Sequence, residues 1–101
     1  MLTLPIKKKW FDMILSGEKT EEYRSLTPYY ATRFRNAWGY PAYWGEAHEI
    51  MFRNGYSHNS PCFVALCTLN IKTGNPEWGA EDGVKYYVLK IKRIIDRKEI
   101  D

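Results

Sequence analysis

From Ile6 to Ser16 the apolar residues recur at helical spacing. Ile6, Trp10, Met13 and Ile14 share one face, with Phe11 and Leu15 beside it. The spacing predicts an amphipathic helix, and Gly17 supplies the left-handed residue that ends it. Before it, residues 2–6, Leu-Thr-Leu-Pro-Ile, alternate weakly and read as a first strand, confined to an edge or a strand end by Pro5. Residues 18–24 read as a second strand. Thr27 followed by Pro28 marks the start of a second helix, with a capping hydroxyl and then proline at the first helical position. This helix is expected to run to about Asn36, with Tyr30, Phe34 and Trp38 along one face.

Residues 37–47 hold two glycines and a proline among four aromatics. They read as an ordered loop, because aromatic rings gain by burial. Glu49–Arg53 is a third strand. Asn54-Gly55 is a turn signal, but polar residues through Pro61 lengthen the connection to a loop of about seven residues. Phe63–Lys72 and Val84–Ile95 are the longest strand patterns. They are joined by the turn-rich stretch 73–83 and are expected to pair antiparallel. Alternation in the last strand slips near Val88-Leu89, which implies a bulge or burial on both faces. Five strands with one or two helices make an α+β domain built on a curled, mostly antiparallel sheet.

The chain of 101 residues is the size of one domain. It has no apolar run of about 18 residues, so no transmembrane helix is expected. It also has no apolar signal-peptide region. Cys62 and Cys67 are too few and too close for a disulfide framework, and reduced thiols point to a cytoplasmic protein. Net charge is +3, which permits a polyanionic partner without requiring one. His48, His58, Cys62 and Cys67 lack the paired spacing of a zinc site, and no dinucleotide or P-loop motif is present. Neither metal nor cofactor is expected.

The densest chemistry lies in Gly17-Glu18-Lys19-Thr20-Glu21-Glu22-Tyr23-Arg24. On composition alone this is a solvated surface strand with a weak Arg–Glu pair, too rich in charge to fill a core. Strict alternation separates Lys19 from Glu22. The two converge only if Lys19 lies in the turn or a bulge intervenes. The stretch is similar to the Gly-x-Lys-x-x-Glu-x-Arg signature of the ASCH family, within the PUA-like superfamily. Gly17, Lys19, Glu22 and Arg24 match all four positions, in the manner of a small stand-alone bacterial or phage-type member.

The resemblance covers most of the chain. Residues 1–24 and 62–95 would carry a small PUA-like β-barrel, and 25–60 form a family-variable, aromatic-rich segment. It implies that RNA or a modified nucleotide binds in a cleft at the motif. Some members of the family hydrolyse an acetylated cytidine with a lysine, a hydroxyl and a carboxylate, which would make Lys19, Thr20 and Glu22 catalytic here. The hydrolase members carry a threonine where this chain has Glu22, and Thr20 is the only hydroxyl within the motif. This departure weighs against the amidohydrolase. Two alternatives stand beside binding: an enzyme acting on nucleic acid, either that amidohydrolase or a ribonuclease, and a protein-interaction module.

A second set lies in the 53–59 loop. It is either a polar turn or a ligand-binding loop. In the latter case Arg53 meets a phosphate, Asn54 a base edge and Tyr56 a base face, with Ser57 beside them. Ser57 next to His58 is not a triad. The ligand-binding set is therefore Lys19, Glu22, Arg24, Arg53, Asn54, Tyr56 and Ser57. Lys7, Lys8 and Lys9 oppose the dipole of the first helix and are either solvated or turned to phosphate. Of Tyr29, Tyr30, Trp38, Tyr40, Tyr43, Trp44 and Trp78, most are expected in the core, with one or two left exposed for stacking.

Overall fold

The computed structural model describes residues 1–98. In chain order the elements are β1 (Leu2–Pro5), α1 (Lys8–Leu15), β2 (Glu21–Arg24), α2 (Pro28–Trp38), β3 (His48–Arg53), β4 (Cys62–Thr73) and β5 (Lys85–Lys98). Short 3₁₀ turns lie at Pro41–Tyr43 and Pro76–Trp78. The five strands form one curled sheet in the order β1-β3-β4-β5-β2, a half-barrel flanked by the two helices. β1 runs parallel to β3, and the other three pairings are antiparallel. The two longest strands, β4 and β5, pair antiparallel as their patterns predict. β1 and β2 are the edges, and each is only four residues long.

α1 starts two residues later than its periodicity predicts. Ile6 stays extended, and its N–H bonds to the Arg53 carbonyl at 2.9 Å, which prolongs the β1–β3 ladder. Gly17 closes the helix at a φ of 85°. α2 runs two residues beyond its expected end, and the Trp38 indole N–H bonds to the Glu46 carbonyl at 2.9 Å. That bond orders the following loop. Farther along, the Leu69 N–H bonds to the Trp44 carbonyl at 2.9 Å, covering the β4 edge where β3 has not yet begun. Val88 and Leu89 are both buried, so the slip in alternation reflects burial on both faces. The bulges fall later in β5, where the register passes over Lys92 and Ile95.

Phe11 and Ile14 of α1 and Phe34 and Trp38 of α2 pack on Ile50, Phe52, Phe63 and Leu89 of the sheet. Ring contacts join Phe11 to Phe63 and Phe34 to Tyr87, each at 5.0 Å. Of the seven rings expected mostly in the core, only Trp38 enters it and Tyr30 and Trp44 pack against it, and three rather than one or two stay exposed, a correction to the expectation. Trp38 is buried and Tyr30, Trp44 and Trp78 are half-buried, whereas Tyr29, Tyr40 and Tyr43 are exposed. Among the described residues no helix is long and apolar enough to cross a membrane.

Candidate functional site

Lys19 is 1% exposed, which makes it one of the largest fully buried side chains in the molecule, and Glu22 is 6% exposed. This overturns the solvated-strand reading of the motif. The reason is local geometry combined with a distant partner. After Gly17 the chain folds back under α1, and the Lys19 N–H bonds to the Met13 carbonyl at 3.0 Å. Lys19 therefore lies in the turn before β2 and escapes the alternation that would have parted it from Glu22.

The Lys19 ammonium has three donors and three acceptors. It bonds to the Glu21 carbonyl, to the Trp78 carbonyl at 3.0 Å, and to Glu22 Oε1 at 3.2 Å. It also lies 4.7 Å from the Tyr23 ring centroid and 5.3 Å from that of Trp10. Desolvation pushes its pKa below the ordinary lysine value, and the Glu22 carboxylate opposes that shift.

Glu22 Oε2 accepts from Arg24 Nη2 at 2.7 Å. Arg24 also donates from Nη2 to the Pro5 carbonyl at 2.8 Å and from Nη1 to the Tyr30 hydroxyl at 3.4 Å. Lys19, Glu22 and Arg24 thus form one buried cluster of two cations and one anion. On the opposite face of β2, Tyr23 donates to Glu21 Oε1 at 2.8 Å and accepts from the Asn75 N–H at 2.9 Å. Burial raises the Tyr23 phenol pKa. Burial alone would also raise that of the Glu21 carboxyl, but hydrogen bonds from Lys72 and Tyr23 hold it below its usual range.

Above this cluster lies a cleft of about 520 Å³. Glu22 and Arg24 line it together with Trp10, Tyr30, Tyr56 and Trp78, and Lys7 stands on the rim. Gly79, at a φ of 100°, helps to shape it. A Cβ there would lie 3.0 Å from the Trp10 ring, so glycine leaves room for the indole beside the loop. Lys8 pairs instead with Asp12 at 2.6 Å at the surface, and the Lys9 ammonium lies 4.7 Å from the Trp10 ring centroid.

The two sequence-predicted sets meet only in part. Tyr56, 90% exposed, reaches the cleft along with Gly55. Arg53 and Asn54 do not line it. Arg53 Nη2 contacts Met51 Sδ at 3.5 Å, and the Asn54 N–H bonds to the Pro61 carbonyl at 2.9 Å. Ser57 accepts from the Asn59 N–H at 3.1 Å within its own loop. Thr20 is exposed and outside the cleft, with its carbonyl accepting from the Ile91 N–H at 2.9 Å. Trp10 and Tyr23 escape a reading of the sequence. Trp10 reads as one more core position of an amphipathic helix, and only the Trp78-Gly79 pair hints that a ring must pass there. Among the described residues no group of His, Cys, Asp or Glu side chains is placed to hold a metal ion.

Comparison of the chain with protein-family models, with curated proteins and with solved structures returned no match.

Proposed function

We propose that this chain binds a nucleobase-containing ligand, a modified nucleotide or a base of single-stranded RNA, in the cleft above Glu22 and Arg24. The observation that carries the reading is the Glu22–Arg24 pair at the base of a cleft walled by Trp10, Tyr30, Tyr56 and Trp78. Aromatic walls hold the face of a planar ring. A carboxylate accepts from ring N–H groups, and the guanidinium donates to a carbonyl or a phosphate. Lys7 on the rim adds a second cation for phosphate. The reading agrees with the ASCH resemblance, under which the curled sheet is a PUA-like barrel; the cytoplasmic setting is read from the reduced thiols Cys62 and Cys67.

Binding without turnover is the better-supported form. Lys19 has no N–H left for a ligand, so it serves as a prop beneath Glu22 rather than as a base. The motif hydroxyl, Thr20, stands outside the cleft and offers no nucleophile there. Few cations reach the cleft, so RNA bound there alone would show a shallow salt dependence, about 0.7 in log–log slope per phosphate contact.

The test uses the indoles of Trp10 and Trp78 as reporters. Titration with the common nucleosides, their monophosphates and acetylated cytidine should quench tryptophan fluorescence for at least one of them, with no product formed. Absence of quenching by every nucleoside and nucleotide at low salt would overturn the reading. Turnover of acetylated cytidine would replace it with the enzyme.

A further inference from the structure

The outer face of β4 and β5, away from the core, carries a second cluster of cations. Strand alternation places Thr68, Asn70 and Lys72 of β4 on one face with Val88 and Lys90 of β5, as the pairs Thr68–Lys90 and Asn70–Val88 show. Their chain neighbours Leu69 and Leu89 point into the core. The bulge in β5 inserts Lys92 beside them. Together these residues line a shallow groove of about 310 Å³.

Donors dominate the groove. Asn70 uses its side-chain oxygen to accept from the Ile71 N–H at 2.8 Å, so what it offers a ligand is its amide NH₂, a donor. Glu21 pairs across from Lys90, but its carboxylate is engaged by Lys72 at 2.8 Å and by Tyr23. Among the described residues neither Lys90 nor Lys92 forms an ion pair. Gly45 closes one side of the groove. The loop leading to it carries Tyr40 and Tyr43, which are 75% and 52% exposed.

We infer that this face is a second binding surface, which takes the phosphodiester backbone of a single-stranded nucleic acid. A cationic groove that tracks phosphates, with aromatic rings nearby on which bases stack, is the physical form such binding takes. Lys90 and Lys92 meet phosphate oxygens while Lys72 stays with Glu21, Thr68 and Asn70 add hydrogen bonds, and Tyr40 or Tyr43, on the loop that reaches Gly45, receives a base. The surface shares no lining residue with the cleft, and the inference stands whether or not the cleft binds a base.

The test is fluorescence anisotropy with labelled oligouridylate and oligothymidylate at several salt concentrations, on the parent chain and on Lys90→Gln/Lys92→Gln. Both changes are at exposed positions, and an unchanged melting curve certifies the fold. The double variant should bind either oligonucleotide more weakly, with the log–log salt slope reduced by about 0.7 per lysine removed. Comparable binding of both oligonucleotides means that the shared backbone is read. Binding of oligouridylate alone adds the 2′-hydroxyl as a contact. Tyr56→Ala should leave this slope difference intact, and the double variant should leave nucleoside quenching intact, so failure at one site is separable from failure at the other. An unchanged affinity and slope in the double variant would overturn the inference. So would tighter binding of polyglutamate or of anionic vesicles than of either oligonucleotide.

Discussion

Arg24 Nη2 donates to the Pro5 carbonyl oxygen at 2.8 Å, and so joins the two edge strands of the sheet through a side chain. The backbone leaves β1 and β2 without a shared ladder, yet the curl of the sheet brings their ends within reach of one guanidinium. The same nitrogen holds Glu22 at 2.7 Å. One residue therefore ties the half-barrel together and positions the carboxylate of the cleft.

Lysine at this position supplies one compact charge in place of a planar fork with five donors. Arg24→Lys should keep the Glu22 contact and lose those to Pro5 and Tyr30. The expected cost is about 1–3 kcal/mol, the range for loss of a hydrogen bond to a charged group, read as a lower urea midpoint at unchanged slope.

Lys19 and Glu22 are a buried pair: removal of Glu22 leaves the ammonium with two carbonyls and no paired carboxylate, whereas removal of Lys19 leaves Glu22 with Arg24. Glu22→Gln should destabilise the fold by about 3–5 kcal/mol, and Lys19→Met by less, because Arg24 still balances Glu22. The double variant should lose less than the sum, with a coupling of about 0.5–3 kcal/mol. Additive losses in urea denaturation would show that the two side chains act independently.

Tyr56 makes the opposite case. At 90% exposure its ring contributes little to the fold, so Tyr56→Ala should change stability by no more than about 0.5 kcal/mol. The same substitution should weaken nucleoside binding by about 1–3 kcal/mol, the scale of one stacking contact. Parallel melting and fluorescence titration separate the two effects.

Glu21 sets a pH dependence. Its carboxyl pKa lies below the ordinary 4.5 in the folded chain, chiefly because bonds from Lys72 and Tyr23 outweigh the effect of burial. In the window below 4.5 the unfolded chain binds the proton more readily than the folded one. The stabilisation is therefore complete above that pH and is lost as pH falls through the folded value. Glu21→Gln should flatten the acid limb of a stability–pH curve and reduce stability at neutral pH.

The two thiols should react unequally. Cys67 is fully buried, and burial pushes its pKa up to about 12, so little thiolate forms near neutral pH. Cys62 is half-buried at the start of β4. Iodoacetamide on the native chain should label Cys62 and spare Cys67, and both should react in urea. Rapid labelling of Cys67 in the native state would mean that β4 opens locally.

Periodicity and turn chemistry are local, and the sequence by itself determined the features that depend on them alone. Both helices, all five strands and the antiparallel pairing of β4 with β5 were legible from apolar spacing, from Gly17, and from Thr27 and Pro28. The charge cluster was visible as a motif, but its environment was not. Whether Lys19 faces water or a core depends on the Trp78 carbonyl, 59 residues along the chain, and on the Trp10 ring above it. Arg24 likewise finds its partner in Pro5, 19 residues earlier. Burial of a charge is tolerated only when every donor is matched, and no pattern within eight residues shows where those acceptors come from. The curl of the sheet brought them together, and with them the rings that separate a cleft from a solvated strand.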